Sequence, residues 1–295
     1  MKTRECNYPT CCPRNGNCPH SGNDELPVQC VGLWIRKKHY YLNRYLEATA
    51  RVRKMFYKQG NAIYLDLFCG PGKCIIRNTT TLVETESGGV ISYNISYSPF
   101  NEYYFIDIEN ENIRALQRRL VHRDNCYFIT NDCNIAIMDI ISKLLKQPDR
   151  LHFSYIDPFG VDNLKFNTLR ELAKLNRNDM LINFPIGSII RNIPKWSTMT
   201  NTPLDDFLGT PIWRERIRGV SGDHIYSILM DVFRNQLISV GFPEDGLESA
   251  QDTVPVKNTK EVELYVLFLA AKHPLAQKIW ASTKKIGPDS QRKLF

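Results

Sequence analysis

The sequence predicts an α/β protein built on a doubly wound, mostly parallel sheet with a C-terminal antiparallel hairpin. Short, nearly continuous apolar runs recur along the chain, which is typical of strands buried on both faces. Segments with helical periodicity alternate with these runs, and the alternation favours parallel strands joined by helices. The last two apolar runs, at 254–256 and 263–269, are separated by a link short enough for a hairpin. A length of 295 residues accommodates one such unit with appendages.

The patterns in residues 33–184 predict most of the sheet. Apolar and aromatic residues at helical spacing predict a long helix over 33–57, followed by a strand at 62–68. Residues 75–100 are rich in Thr, Ser, Asn and Gly, so they predict an irregular insertion with room for a hairpin. Further strands are predicted at 103–108, 126–130, 151–156 and 180–184, with helices at 112–120, 135–145 and 168–175.

Beyond residue 184 the patterns predict that the alternation of strands and helices is interrupted and that the chain then returns to the sheet. A helical insertion at about 194–222 precedes a helix at 224–240. The hairpin follows, and its second strand is expected to run antiparallel to the rest of the sheet. A closing helix is predicted at 274–280.

Composition and charge narrow the possible classes of protein. The longest apolar run, 264–271, is far shorter than the roughly 20 residues of a membrane-spanning helix, and no secretory signal is visible, so we expect a cytoplasmic protein. Lys and Arg total 38 against 31 Asp and Glu, a net charge of +7 that favours an anionic partner such as nucleic acid. Basic clusters at 36–38, 51–54 and 214–218 would contact phosphates or form solvated helix faces.

Residues 1–30 predict a Cys-rich arm, separate from a main domain over 31–295. The arm is short and rich in Pro, Asn and Gly, so it cannot bury an apolar core unless a covalent link or a metal holds it. Zinc or an iron–sulfur cluster is one interpretation, and a flexible tail with incidental thiols is the other. The candidate metal ligands are Cys6, Cys11, Cys12, Cys18 and His20, with Cys30 as a substitute for His20. The remaining cysteines, Cys69, Cys74, Cys126 and Cys133, are predicted to be small buried residues near strand ends.

Acidic and small residues follow successive predicted strands. Ligands of doubly wound sheets bind where the carboxyl ends of the strands meet, so these loops are the candidate site. The first is DLFCGPG at 66–72, whose glycines allow a tight turn and close approach of a ligand. Asp107 or Glu109 is placed to accept hydrogen bonds from ribose hydroxyls, and Asp132 can face an adenine amino group. Ordinary helix capping is the alternative role for each carboxylate.

The next two strand ends add groups suited to a planar substrate. Asp157, Pro158 and Phe159 offer an acceptor, a stiff turn and a stacking surface, and Asn183 would line the same crevice. A plain Asp-Pro turn is the simpler alternative. The spacing of the glycines lacks the third one of a dinucleotide fingerprint, which disfavours NAD.

At these residues the sequence resembles a known family. The stretch at 64–72 resembles the first motif of class I S-adenosylmethionine-dependent methyltransferases, whose Rossmann-like fold the terminal hairpin also fits. More closely, the chain resembles the three-Cys-motif partner protein (TcmP) family over about 31–283. The motifs that carry this resemblance are VGLW at 31–34 with Lys38-His39, DLFCGPG at 66–72, IDPFG at 156–160, and LINF at 181–184 with Arg191-Asn192.

The resemblance implies a methyltransferase-like domain over 31–295, a cofactor and a partner. The cofactor would be S-adenosylmethionine, and the partner a radical-SAM-like protein carrying a three-Cys motif. The residues implied at the cofactor are Asp66, Phe68, Gly70, Gly72, Asp107, Glu109 and Asp132, and those implied in catalysis are Asp157, Pro158, Phe159 and Asn183. Phe159 stands where amino-methylating enzymes carry a second Pro, and the chain has no Pro-Cys nucleophile for cytosine C5 methylation.

Three functional hypotheses follow. The first is a methyltransferase acting on nucleic acid together with the three-Cys-motif partner. The second is a non-catalytic accessory protein that docks on that partner. The third is a nucleotide-processing hydrolase, which is disfavoured because no phosphate-binding Lys motif follows the glycines.

Overall fold

Two sheets organise the chain in the computed structural model, which describes residues 18, 20–77, 83–95, 98–120, 123–220 and 222–288. Seven strands form the larger sheet, in the order β6-β5-β2-β7-β8-β10-β9, and three form a smaller one, in the order β1-β3-β4. The strands are β1 (Gln29–Val31), β2 (Ala62–Asp66), β3 (Lys73–Ile76), β4 (Val83–Glu86), β5 (Glu102–Asp107), β6 (Cys126–Thr130), β7 (Leu151–Ile156), β8 (Asn178–Phe184), β9 (Val254–Lys257) and β10 (Glu263–Ala271).

The larger sheet is parallel from β6 to β8 and reverses at its end. Strand β10 lies between β8 and β9 and is antiparallel to both. The chain order also reverses direction at β2, because β5 and β6 lie on one side of it and β7 and β8 on the other. This confirms the predicted α/β class, with a doubly wound, mostly parallel sheet and a C-terminal antiparallel hairpin.

Helices cover both faces of the larger sheet. They are α1 (Ile35–Ala48), α2 (Ala50–Tyr57), α3 (Gly88–Tyr93), α4 (Asn110–Arg119), α5 (Cys133–Leu144), α6 (Phe166–Leu172), α7 (Ile186–Trp196), α8 (Pro203–Leu208), α9 (Trp213–Arg216), α10 (Gly222–Ser239) and α11 (Pro274–Lys284). One core contains residues of α5, α6, α7, α8 and α10, and the other contains residues of α1, α4 and α11. Successive residues of β2 alternate between these two cores, since Ile63 and Leu65 join the first and Ala62 and Tyr64 the second.

The smaller sheet explains the region predicted as an irregular insertion. Strands β3 and β4 form an antiparallel pair, which is the hairpin for which the sequence left room. Strand β1 pairs in parallel with β3, and no strand was predicted at its position. The chain therefore passes from the glycine loop at 66–72 into a strand rather than directly into a helix.

Other predicted boundaries need correction. The single long helix over 33–57 is two helices, because Thr49 lies between α1 and α2 and its hydroxyl bonds back to the carbonyl of Tyr45 at 2.8 Å. Helix α7 begins at Ile186, directly after β8, so helical structure starts before the predicted insertion at about 194–222. Of the helices in the described ranges, none combines the length and the apolar composition that a membrane span requires.

Each basic cluster contributes one cation to the interior of the fold, while most of the others are exposed. Lys38 and Arg53 are 4% and 2% exposed, so neither belongs to the predicted solvated helix faces. The Arg53 guanidinium donates to the carbonyls of Ser98 and Leu46. Arg214 forms an ion pair with Asp205 at 2.5 Å. Three of the cations considered for phosphate contact are therefore committed to internal structure.

Candidate functional site

The register of the parallel strands places several of the predicted polar residues level with one another at the strand ends. Asp66 lies opposite Phe105 on one side and Tyr155 on the other. Extending that register by two residues places Asp107, Phe68 and Asp157 level with one another. Asn183 continues the row, because Ile156 lies opposite Ile182. Asp66 lies two residues before this row on β2, so three carboxylates and an amide lie near the carboxyl ends of adjacent strands, where doubly wound sheets bind ligands.

Asp66 is the most deeply buried of these three carboxylates. Its side chain accepts hydrogen bonds from the Phe68 backbone N–H at 3.2 Å and from the Tyr64 hydroxyl at 3.3 Å. Burial raises its pKa to about 8, and the neighbouring charges of Asp157 and Asp107 act in the same direction. The three carboxylates therefore lie close enough for their charges to interact.

Asp107 holds the glycine loop in place. Its carboxylate accepts from the Gly70 backbone N–H at 2.9 Å, the Glu109 backbone N–H at 2.8 Å and the Asn112 amide at 3.1 Å. Burial raises the pKa of Asp107, whereas these hydrogen bonds act to lower it. Gly70 has φ +59°, a left-handed conformation that favours glycine.

The glycine loop is covered by residues 22–31, which precede α1. A Cβ at Gly70 would lie 3.0 Å from the Gln29 side chain of β1. A Cβ at Gly72, where φ is +92°, would lie 2.9 Å from Leu116 Cδ1 and 3.2 Å from Arg119 Cδ. Gly72 is thus required for packing against α4, and its side facing these residues is not open space for a ligand.

Arg119 fastens this covering segment. Its guanidinium donates to both carboxylate oxygens of Asp24 at 2.9 Å, and to the carbonyls of Pro27 at 2.7 Å and Pro71 at 2.5 Å. The same cation therefore contacts the segment and the glycine loop. The Arg119 hydrogen bond holds the pKa of Asp24 far below its usual range. We call residues 22–31 the N-terminal strap.

Asp157 lies in a hydrogen-bonded cluster with Lys38 and Asn183. Lys38 Nζ of α1 lies 2.5 Å from Asp157 Oδ2, and the Asn183 amide donates to Asp157 Oδ1 at 2.7 Å. The Lys38 side chain is 5% exposed, and that of Asp157 is 21% exposed. The carboxylate is thus oriented by two protein groups and still reaches solvent.

Unpartnered polar atoms surround this cluster. Within the described residues, Asn183 Oδ1, the Tyr155 hydroxyl and Trp34 Nε1 are buried without a hydrogen-bond partner. Asn183 and Tyr155 are 1% and 2% exposed. Buried polar groups are rarely left unpaired in a folded protein, so these atoms point to a polar ligand at the cluster.

Aromatic rings line the same region. The Trp34 ring lies 5.2 Å from that of Tyr265 and 5.1 Å from Lys38 Nζ. Burial raises the pKa of Tyr265 to about 12, with the charge of Asp157 adding to the shift. Phe159 is 64% exposed and follows the buried Pro158, so its ring is available to a planar partner.

The remaining predicted residues have other surroundings. Asp132 caps α5, accepting from the Asn134 backbone N–H at 2.8 Å, which is the helix-capping role set out as an alternative. Glu109 is exposed at the start of α4. Phe68 is partly buried and packs against the core that contains α5.

The proposed metal ligands are only partly described. Cys6, Cys11 and Cys12 lie outside the described residues. Cys18 and His20 are described, and within the described ranges no group of three or more His, Cys, Asp or Glu residues could hold a metal ion. Cys69, Cys74 and Cys133 are buried as predicted, whereas Cys126 is half-buried.

Sequence reasoning missed three residues of the site. The sequence placed Lys38 in a basic run and in the Lys38-His39 motif but did not predict its buried ion pair with Asp157, which depends on the packing of α1 beside β7. Arg119 and Gln29 carried no motif at all. Their roles arise from contacts across 48 and 41 positions of the chain, to Pro71 and Gly70 respectively, which local patterns do not reveal.

Comparison with known proteins gives a likeness of fold. No family model matches the chain, and no curated protein matches it. Among solved structures, protein LPL1258 of Legionella pneumophila, of family model DUF519, is 9% identical, with a TM-score of 0.47, over 84% of this chain and 91% of that one.

Two methyltransferase structures show a similar level of likeness. Trm1 from Pyrococcus horikoshii, solved with S-adenosyl-L-methionine, is 12% identical with a TM-score of 0.38, over 81% of this chain and 57% of that one. The plantazolicin methyltransferase BpumL, in complex with SAH, is 12% identical with a TM-score of 0.37, over 80% and 86%. The TM-scores of these three structures are all below 0.5, so the likeness concerns the fold alone.

Proposed function

We propose that this protein is an S-adenosylmethionine-dependent methyltransferase acting on nucleic acid. The observation that carries the proposal is the row of Asp107, Asp157 and Asn183 at the carboxyl ends of parallel strands, with Asp66 two residues before it on β2. Carboxylates here can accept hydrogen bonds from the amino and hydroxyl groups of a nucleoside. The resemblance of 64–72 to the first methyltransferase motif gives this row its most specific interpretation.

The groups present suit that cofactor. An ionised carboxylate has about four acceptor positions, and Asp107 uses three of them, so roughly one remains for a ribose hydroxyl. The unpartnered atoms of Asn183 and Tyr155 provide further polar contacts. Asp66 and Gly70 would border the methionine portion, and Asp132, in addition to capping α5, would border the adenine.

Catalysis would need little beyond alignment. The cofactor supplies a methyl group on a positively charged sulfur that is its own leaving group. Asp157 would orient the acceptor and take its proton, while Asn183 fixes the carboxylate. The exposed Phe159 ring would stack on a base, and the net charge of +7 would attract a polyanion.

Calorimetry tests cofactor binding. We expect the wild-type protein to bind S-adenosylmethionine and its demethylated product S-adenosylhomocysteine, and Asp107→Ala to weaken both by about tenfold or more, the value of one lost charged hydrogen bond. Glu215→Ala, which removes an exposed carboxylate on α9, is the matched control and should bind as wild type does. The absence of heat with either compound would contradict the proposal.

A labelled methyl group tests the acceptor. The protein is incubated with S-adenosylmethionine carrying a deuterated methyl group and with unmodified RNA or DNA, and the digested nucleosides are analysed by mass spectrometry. We expect deuterated methyl in one nucleoside and its loss in Phe159→Ala, which removes the stacking ring. Cofactor binding without transfer to any nucleic acid would refute the acceptor.

The second candidate is an accessory role beside a radical-SAM-like three-Cys-motif protein. Two observations favour it: Gln29 lies against Gly70, and Asp157 is already paired with Lys38. If this role is the true one, the two proteins should co-purify and Asp157→Ala should not weaken the complex. Loss of the complex on that substitution would instead connect the partner to the chemistry.

A further inference from the structure

Lys38 is a buried cation whose ion-pair partner is the proposed catalytic carboxylate. The Lys38 side chain is 5% exposed, and its ammonium lies 2.5 Å from Asp157 Oδ2. Burying an ammonium costs free energy unless an opposite charge compensates it. Hydrophobic side chains at α1 would avoid that cost, and the other buried positions of this helix are mostly apolar or aromatic. The pair therefore calls for a functional explanation.

The surroundings of the pair indicate a ligand beside it. Asn183 Oδ1 and the Tyr155 hydroxyl are unpartnered and at least nine-tenths buried. Asn183 contacts Asp157 directly at 2.7 Å, and the pKa of Tyr155 is raised by burial and further by the charge of Asp157. The Lys38–Asp157 pair thus lies among polar groups whose hydrogen-bonding capacity the protein leaves unused.

The charge of a sulfonium cofactor gives the pair a role. In a methyl transfer the carbon–sulfur bond breaks with its electron pair remaining on sulfur, and a lone pair of the acceptor forms the new bond to carbon. The acceptor then loses its proton to Asp157 or to water. Positive charge at sulfur therefore decreases as the reaction proceeds. A lone carboxylate beside that sulfur would stabilise the reactant more than the transition state, which slows the reaction.

We propose that Lys38 is a charge-setting, positioning residue of this site. Lys38 neutralises the charge of Asp157. The carboxylate therefore does not increase the affinity for the positively charged cofactor over that for the product, whose sulfur is uncharged. Asp157 keeps its orientation and its remaining acceptor positions. This inference rests on the proposed function, because it requires the cofactor to bind next to Asp157.

The ratio of two dissociation constants tests the inference without an activity assay. S-adenosylmethionine and S-adenosylhomocysteine are titrated into wild type, Lys38→Met, Lys38→Arg and the double variant Lys38→Met with Asp157→Asn. We expect Lys38→Met to shift the ratio by about a hundredfold or more towards the charged cofactor, as one uncompensated charge roughly 4 to 6 Å away would do at an effective dielectric constant of about 20. Lys38→Arg and the double variant should keep the wild-type ratio.

Further variants make every outcome decisive. Asp157→Asn leaves Lys38 uncompensated and should shift the ratio in the opposite direction, so it replaces Lys38→Met if that variant does not fold. Lys37→Met changes the neighbouring lysine and should leave the ratio unchanged. An unchanged ratio in both Lys38→Met and Asp157→Asn overturns the inference, as does a shift that persists in the double variant.

The result also separates the two proposals. If wild type binds neither compound, the proposed function fails and this inference fails with it. If wild type binds both and the substitutions leave the ratio unchanged, the proposed function survives and only the role of Lys38 is lost.

Discussion

Asp66 shows at the scale of a single residue how a strand-end carboxylate departs from its solution behaviour. It is 1% exposed, and no cation contacts it among the described residues. Burial therefore raises its pKa to about 8, so the protonated form is favoured in the folded protein at neutral pH. The apolar pattern before Asp66 predicts that this residue lies at a strand end. The protonation of its carboxyl depends instead on how deeply the side chain is buried.

The pKa of Asp66 predicts how stability depends on pH. The unfolded carboxyl loses its proton near its usual pKa of 3.8 and the folded one near 8, so this group lowers the free energy of unfolding as pH rises between those values. Asp66→Asn should remove that contribution. As pH rises across that range, the free energy of unfolding of the variant should increase relative to that of wild type by up to about 1.4 kcal/mol per pH unit.

Urea titrations at several pH values measure the difference between the two proteins. A constant loss from the altered hydrogen bonds of Asn would displace the curve without changing its slope relative to wild type. Asp245→Asn, at an exposed position, is the control. Parallel curves for Asp66→Asn and wild type would show that Asp66 is ionised in the folded protein.

At the scale of elements, the N-terminal strap is a cover over the glycine loop. Residues 22–31 are fixed by Arg119 on one side and by the pairing of β1 with β3 on the other. Lys73 adds an ion pair to Asp24 at 3.0 Å. Because the strap contacts the loop that would border the cofactor, its stability and the access to that loop are physically connected.

Removing the Arg119 guanidinium should loosen the strap. Arg119→Met loses hydrogen bonds to a carboxylate and to three carbonyls, so we expect the amide protons of β1 to exchange about tenfold faster or more. Hydrogen exchange followed by mass spectrometry makes the measurement. Arg118→Met, one residue earlier on the exposed side of α4, is the matched control. Equal exchange in both variants would contradict the role of Arg119.

A second prediction at this scale concerns the contact between α7 and β10. A Cβ at Gly187 would lie 2.4 Å from the Glu263 carbonyl oxygen and 3.0 Å from Leu264 Cα, so the helix and the strand approach each other too closely for a side chain. Gly187→Ala should cost about 1–3 kcal/mol, as overpacking usually does.

Chemical denaturation compares it with Gly222→Ala on α10, where a Cβ would meet no atom within 4 Å. That substitution should leave stability unchanged or raise it slightly, since Ala has the higher helix propensity. A Gly187→Ala protein as stable as wild type would show that the two elements separate easily.

At the scale of the whole molecule, two hydrophobic cores share one sheet. The core that contains α5 and α10 is joined through aromatic contacts, among them Phe233 stacked on Phe207 at 5.8 Å and edge-on to Phe184 at 5.3 Å and to Phe268 at 5.6 Å. The other core contains Trp280 and Tyr45, 5.7 Å apart. Because β2, β7 and β8 contribute to both cores, we expect the two to unfold together.

Phe233→Ala tests this coupling. Phe233 is fully buried, so the substitution should cost about 3–5 kcal/mol and retain a single unfolding transition. Tryptophan fluorescence and circular dichroism should report the same midpoint. Phe159→Ala, which removes a ring that is 64% exposed, should change stability by less than about 0.5 kcal/mol. Separate midpoints for the two probes would show that the cores unfold independently.

Much of the sheet could be predicted because its information is local. Each buried strand is a short apolar run, and the bounds of β6 and β7 agree with those predicted at 126–130 and 151–156. Strand ends then place Asp66, Asp107 and Asp157, since the carboxyl ends of parallel strands lie at one edge. Strand β1 was missed, because three residues carry too little periodicity to distinguish a strand from a turn.

The sequence alone determined the fold class, the alternation of strands and helices, and which acidic residues follow the strands, because these depend on spacing along the chain. Only the tertiary structure decided that Lys38 pairs with Asp157, that Arg119 and Gln29 cover the glycine loop, and that burial raises the pKa of Asp66. Those features depend on distances between distant segments and on the exclusion of water, which no local pattern encodes.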